Sequence, residues 1–536
     1  MRVFVSALAA GFILLSSCQS DMSQKHPNHL RLNIHTEPPS LHPHHASDTT
    51  SGLVLRFLFD GLTRLSANGT VVPSIADTIE VSDDGTVYTF HLRESRWSNG
   101  DPVTANHFVY TFRKMMDPTF VSELAYKLYI IKNAEAVKAG KAPLETLGVT
   151  ALDPYTLIFE LEHPAPYFLD MTATQYMFPV HPASDQKDEG WSSSGGKTYI
   201  SNGPFLLSTW RHHNEITMVK NPSYWDATAV RLETVTLSMV EDAHTELSMF
   251  EEAEIDWAGP PMSPTLPIDA ISWLREEGIL RSQATVATYM YLFNTNRPPL
   301  TNKNIRKALA YSINRRAITE NITQTEETAT TSVVPQELSA RTEPFFPDAN
   351  EETALALFEE GLTELGMTRE TMPSISLSYN TSEHHHRIAQ YVQQQWNRIL
   401  GIAIELDHSE WKAYLGKVNT CDFSIARLAW WADYRDAVSF LELWRYDSNG
   451  VNCAGWHNTE YEALLEQADY TVDIDQRLQL LLKAETILSE EMPVVPVYTL
   501  KNVWVQNPAL KGVYISNPSV IDFKWAYFEE EERSQR

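Results

Sequence analysis

Ser82-Asp83-Asp84-Gly85-Thr86-Val87-Tyr88-Thr89-Phe90-His91-Leu92-Arg93, followed by Trp97-Ser98-Asn99-Gly100-Asp101-Pro102-Val103-Thr104-Ala105, is the most informative stretch of the chain. Asp84-Gly85 is a turn dipeptide that favours positive φ, and Val87 to Leu92 alternates in the period of two expected of a strand. Asn68-Gly69, upstream, carries the same turn signal. Thr104 before His107-Phe108-Val109-Tyr110-Thr111-Phe112 predicts an N-capped helix crossing the face of a small sheet. Tyr155 to Leu161 alternates again and is closed by Pro164 and Pro166, which marks a β-rich unit over about residues 60–183.

Outward from this unit the pattern changes. Leu30-Arg31-Leu32-Asn33-Ile34 predicts a strand, and Leu53, Val54, Phe57 and Leu58 recur at helical spacing. Asp185 to Lys197, rich in Ser, Gly and charge, predicts an exposed connection. Ile216 to Val219 and Thr234 to Met239 predict strands. From residue 298 onward helical stretches dominate: Ile305, Leu309 and Ile313, then Ile388, Tyr391, Gln395 and Ile399, then Leu478, Leu481, Leu482 and Ile487. Strands at Ile375 to Tyr379 and Phe423 to Ala426 alternate with them, which implies an α/β lobe.

A chain of 536 residues is long enough for several domains, each with its own core. Its 42 Lys and Arg against 69 Asp and Glu leave a net charge of −27, which repels phosphate backbones, so no nucleic-acid partner is expected. Arg2 and the apolar run Val3 to Leu15 have the proportions of an export signal and are too short to span a bilayer as a helix. The run ends in Leu15-Ser16-Ser17-Cys18, which resembles a bacterial lipobox, so residues 1–17 are expected to be a lipoprotein signal peptide and Cys18 the lipid anchor to the membrane. Residues 18–29 then form a polar tether, and residues 529–536 an acidic tail. Cys421 and Cys453 remain, and whether they form a disulfide depends on a Cα separation that sequence does not report.

Motifs for hydrolases, nucleotide binding and zinc peptidases (G-x-S-x-G, G-x-G-x-x-G, a P-loop, H-E-x-x-H) are missing, which argues against an enzyme. His42-Pro43-His44-His45 and His384-His385-His386 have no recognised ligand spacing, and consecutive side chains point in different directions. They are read as solvated surface histidines, with no metal or other cofactor.

Several segments together resemble the peptide-binding branch of the bacterial extracellular solute-binding proteins, family 5, that serve ABC importers. They are Glu37-Pro38-Pro39-Ser40-Leu41, Phe59-Asp60-Gly61-Leu62, Val72-Pro73-Ser74-Ile75-Ala76, the 82–105 block, Leu147 to Asp153, Asn294 to Leu300, and Trp431-Ala432-Asp433-Tyr434. The resemblance implies an α/β, periplasmic-binding-protein-like (type II) fold with two hinged α/β lobes and an extra β-rich domain. The first lobe would be discontinuous (30–58, 185–283 and 500–528), the extra domain would be 59–184 and the second lobe 284–499. It also implies a non-catalytic, monomeric lipoprotein of the cell envelope that captures oligopeptides and delivers them to the transmembrane subunits of an ABC permease. Other members of such a family carry nickel, haem, dipeptides or sugars, or sense peptides without importing them, and these stay open as alternatives.

Matching the family's motif, Asp433 would hold the peptide ammonium and Arg427 a peptide carboxylate. Backbone groups of Ala429 and Trp431, and those near Thr49, would pair with the ligand. Trp411, Trp430 and Tyr110 would line the cleft, and His385 would give a length-dependent contact to the carboxyl terminus. The ordinary competitors are core packing for Trp411 and Trp430, a turn for Asp433 and a structural ion pair for Arg427.

Overall fold

The computed structural model describes residues 28–529 except 67–68, 189, 446–451, 472 and 517–519. The signal segment, Cys18, Asn68 and the tail from residue 530 lie outside the described residues. The strand expected to begin at Leu30 begins one residue earlier, as His29–Asn33.

Three structural units follow from three sheets. In the first, His29–Asn33 pairs in parallel with Thr234–Ser238, which continues antiparallel into Glu215–Lys220 and Phe205–Arg211. Helix Thr49–Leu58 packs here, capped by the Asp48 side chain, which accepts from Ser51 N. The second is the β-rich unit, an antiparallel sheet in the order 76–81, 87–92, 156–160, 149–153. Alternation puts Tyr88, Phe90 and Leu92 inside, and helix Ala105–Met116 covers them with Phe108, Phe112 and Met115. That helix opens with the expected Thr104 as half of a capping box whose other half is His107.

The third unit is a seven-stranded mixed sheet whose main path runs 257–258, 494–506, 281–293, 425–431, 375–380, 404–409. Helices Lys303–Tyr311, Glu351–Leu365 and Glu383–Leu400 pack around a core that includes Ile305, Leu309, Phe358, Ile388 and Trp396. The last two helices end at Gly366 and Gly401, both at positive φ (64° and 69°), the left-handed cap that glycine adopts without a Cβ clash.

Strands Arg281–Phe293 and Val494–Gln506 are 13 residues each, about 43 Å at 3.3 Å per residue, long enough to run from one lobe into the other. They pair from Arg281↔Trp504 to Leu292↔Val494, with a register shift between Ala284 and Thr288. The ladder that joins the lobes is therefore irregular between them.

Two expectations fail. Asp185 to Lys197 is not a plain exposed connection: Pro182–Lys187 is a helix with His181 as N-cap, and Asp185 and Trp191 are buried. The histidine clusters are only partly solvated: His45 is exposed as expected, but His42, His44 and His385 are buried and His384 and His386 are half-buried. The first cluster is folded inward by bonds to Asp185 and the Phe178 carbonyl, the second by packing against Tyr289 and Tyr498. No group of three or more His, Cys, Asp or Glu among the described residues is placed to hold a metal ion.

Candidate functional site

The site is organised by strand Ile425–Trp431. One edge pairs along its whole length with 281–293, from Phe293↔Ile425 to Ala287↔Trp431. The other edge meets strand 375–380 only at Leu377↔Ile425 and Ser378↔Ala426. From Arg427 to Trp431 this second edge has no strand partner among the described residues.

Which groups face that edge follows from the ladder. Asn294 N donates to Ser424 O and Ala432 N to Val286 O, both at 2.9 Å, so even-numbered residues bond inward to 281–293. Antiparallel pairing alternates, so the N–H and C=O of Arg427, Ala429 and Trp431 point the other way. The Arg427 carbonyl accepts from the Tyr414 hydroxyl, in keeping with this parity. Ala429 and Trp431 thus offer backbone groups along an open edge.

Charge sits at both ends of the edge. Arg427 is only 8% exposed, lies over the Tyr289 ring at 4.9 Å, and makes a long bond from Nη1 to Asn380 Oδ1 at 3.4 Å. Its buried Nε has no partner, and no carboxylate pairs with it among the described residues. His384 and His385 stand beside it. Burial and the Arg427 charge push His384 down to about 4 and His385 well below the usual histidine range, so both are neutral at pH 7. The His385 ring lies oblique to that of Tyr289, with centroids 5.7 Å apart.

Asp433 lies just past the strand's other end. Its backbone N–H donates to Ser439 Oγ at 2.9 Å, which fixes the turn, and its side chain is 22% exposed. The cation on its carboxylate is the protein's own Lys127, from the 3₁₀ helix Ala125–Leu128 of the β-rich unit. Lys127 Nζ also lies 3.9 Å from Glu442 and over the rings of Trp430 (4.9 Å), Tyr126 (5.6 Å) and Tyr176 (5.7 Å). Burial works against its charge, and Asp433 and Glu442 override that and raise its pKa. Glu442 accepts from Tyr434 OH at 2.8 Å, and burial pushes it up to about 7 despite Lys127.

The remaining expected residues distribute around this edge. Trp430 is half-buried and donates Nε1 to Ser439 O at 2.9 Å; Trp431 is half-buried at the strand end. Trp411 opens helix Trp411–Asn419, with its ring 6.2 Å from that of Tyr414. Tyr110 belongs to a separate network, donating to Asp185 Oδ2 at 2.6 Å. Thr49 is exposed at the start of helix Thr49–Leu58. Cys421 and Cys453 are bonded, with Cα atoms 4.9 Å apart, which ties the entry to strand 425–431 to a segment 32 residues downstream.

Sequence reasoning missed Lys127, Glu442 and Asp185. Asp185 receives Lys114 (2.5 Å), Tyr110 (2.6 Å), Trp191 (3.1 Å) and His42 (3.2 Å), and these bonds hold it well below the usual carboxylate range against the cost of burial. It anchors the loop carrying His42 to the helix carrying Tyr110.

A family model described as bacterial extracellular solute-binding proteins, family 5 middle, matches residues 70–452. The chain belongs to this family. Oligopeptide-binding protein OppA of Bacillus subtilis is 42% identical over 505 residues, 93% of this chain and 92% of that one. Among solved structures, the Haemophilus influenzae OppA complex with RPPGFSPFR superposes with a TM-score of 0.87 at 27% identity, covering 94% of this chain and 99% of that one. The Escherichia coli murein tripeptide binding protein MppA gives 0.87 at 31% identity, covering 94% and 98%. The same protein in its unliganded open form gives 0.66 at 31% identity, covering 95% and 98%. The family's type II periplasmic-binding-protein fold, with its extra domain, is therefore the fold of this chain. Contacts across the units fit a closed arrangement: Tyr167 of the β-rich unit stacks on Tyr434 at 4.4 Å, and Glu123 bonds both Ser47 (2.6 Å) and Asn419 (2.7 Å). As a family 5 member the chain is a bacterial extracellular solute-binding protein.

Proposed function

We propose that this protein is a lipid-anchored receptor that captures short oligopeptides between its two lobes and delivers them to an ABC permease. The observation that carries the reading is the open edge of strand 425–431, with uncompensated Arg427 at one end and Asp433 beyond the other. A receptor for many sequences must place its directional contacts on what peptides share, and an added strand does so through main-chain bonds. Ala429 and Trp431 would pair with the peptide backbone. Arg427 would meet the carboxylate, with His385 beside it, and Asp433 would receive the amino end. Trp411, Trp430 and Tyr110 would line the space around the side chains, with Thr49 contributing from the first lobe. The division into 30–58 with 185–283 and 500–528, 59–184, and 284–499 is the domain plan that this reading uses.

Closure is then a population shift: ligand that touches both lobes only in the closed form favours that form, which the permease recognises. Cys18 would keep the receptor at the membrane while the lobes work free of it. Denaturing the protein as purified and identifying the released molecule by mass spectrometry tests the proposal. Peptides of a few residues are expected; a nickel chelate, haem or a sugar as the bound species would overturn it.

A further inference from the structure

Helices Thr459–Asp469 and Ile474–Glu491 pack against each other as a helical hairpin. Leu465 and Ala468 of the first and Leu481 and Ala484 of the second are buried in the core. The outer side of the pair is an open groove of about 890 Å³. Ala463, Gln467 and the C-cap Tyr470 line one wall, and Gln476, Gln479 and Leu480 the other, each set at the three- and four-residue spacing of one helix face. Its middle therefore carries no charge in a chain of net charge −27. Tyr470 is 59% exposed, and Ile474, at the start of the second helix, is 72% exposed. An uncharged centre with an exposed tyrosine and a charged rim is how protein interfaces are built.

The rim fixes the sign of the occupant. Exposed Glu466 and Asp475 border the groove, Glu460 and Asp473 lie on the same hairpin, and Lys483 is the cation among them. A complementary segment carries Lys or Arg beside its apolar side chains. Two parallel walls of side chains leave room for the apolar face of a third helix between them.

The groove is also tied to closure. The Tyr470 ring lies 5.3 Å from that of His163, which belongs to the β-rich unit, and His163 Nε2 is 3.6 Å from Asp469. These contacts exist only while the β-rich unit and the hairpin are together, so the aromatic end of the groove differs between a closed and an open receptor. Resting on the peptide reading above, we propose that this face is where the closed receptor docks on its permease, taking an amphipathic helix with basic flanks that a transmembrane subunit exposes outside the membrane.

The test uses the full receptor with p-benzoylphenylalanine replacing Gln467, its permease purified with both transmembrane subunits in lipid nanodiscs, and a mixed pool of tri- to pentapeptides. Illumination is expected to give a peptide-dependent crosslink to a transmembrane subunit, mapped by mass spectrometry to a segment with Lys or Arg beside apolar residues. The same probe at Leu152, exposed on the β-rich unit, should give none. Tyr470→Glu, and Glu466→Lys together with Asp475→Lys, are expected to bind peptide as the unaltered receptor does yet to stimulate ATP hydrolysis by the permease about tenfold less. Full stimulation by both variants, a crosslink to a second receptor copy, or no crosslink from position 467 while peptide still drives hydrolysis would each overturn the inference. The crosslink decides it even if a variant fails to fold. An unaltered receptor that binds no peptide from the pool overturns the peptide reading, and this inference with it.

Discussion

Replacing Arg427 with Met should make the empty protein more stable and the loaded one much weaker. The guanidinium is 8% exposed, its Nε is buried without a partner, and its bond to Asn380 is long at 3.4 Å. A buried donor left unsatisfied costs about 1–3 kcal/mol. The Tyr289 face at 4.9 Å returns about 0.5–1 kcal/mol of that as a cation–π contact. Met fills similar volume, carries no charge and makes no demand on Asn380 or the two neutral histidines. Arg427→Met should therefore stabilise the ligand-free protein by up to about 2 kcal/mol, read as a higher thermal midpoint.

Binding should move oppositely. A peptide carboxylate meeting Arg427 forms a desolvated, charge-assisted pair, and truncating one partner of such a pair costs about 2–5 kcal/mol, roughly 30- to several-thousand-fold in Kd. Calorimetric titration with a tri- to pentapeptide set and with the same set C-amidated separates this from general damage. The unaltered protein should discriminate against the amides by a factor in that range, and Arg427→Met should treat acid and amide alike. Equal affinity of the unaltered protein for both sets, or a variant that is less stable when empty yet binds as before, would refute the reasoning.

Two further outcomes concern stability. Breaking the Cys421–Cys453 bond with Cys421→Ser and Cys453→Ser releases a loop of 32 residues and should cost about 3–4 kcal/mol by loop entropy, read as a lower thermal midpoint that reductant reproduces in the unaltered protein. Glu246, 1% exposed, is pushed up to about 7 chiefly by burial, against bonds from Ser263 and Gly259 N. Its folded pKa exceeds the unfolded one, so the folded state keeps its proton between about pH 4.5 and 7 and loses stability as pH rises through that window. Glu246→Gln should remove up to about 3 kcal/mol of that decline, and unchanged slopes of thermal midpoint against pH would show Glu246 to titrate normally.

Local rules were enough for the elements. The period of two in Val87–Leu92 and the Thr104 cap give that strand and the start of helix Ala105–Met116, because each depends on neighbours in sequence. The site was visible only as a segment, Arg427 to Asp433, where charge brackets apolar residues. Its most consequential partner was not visible, since Lys127 is 306 residues from Asp433 and sits in a stretch with no motif. Asp185 was lost for a different reason: averaging over Ser, Gly and charge from 185 to 197 read as solvent, although Pro182 after His181 was an available helix-start signal. The histidines misled because pointing in different directions was equated with pointing outward, whereas three packed elements can take up three directions. Cys421 and Cys453 needed a distance, and only the fold supplies one.

The two ends of the strand edge are not equivalent, and this bears on where specificity lies. At the amino end the carboxylate already has a cation, and what remains for a ligand is an exposed rim of Asp433 and the ring of Trp430. At the carboxyl end the cation has no counter-charge among the described residues, and neutral His384 and His385 cannot provide one. Net electrostatic gain on binding is therefore concentrated at Arg427, because only there does a ligand charge complete a pair instead of entering a finished one. On the proposed reading, main-chain bonds from Ala429 and Trp431 would add affinity without choosing a sequence, so discrimination should be steepest for changes to the ligand's carboxyl group and shallow for changes to its amino group. Reversal of that order in a matched series of C-amidated and N-acetylated peptides would mean that the Lys127–Asp433 pair opens on binding.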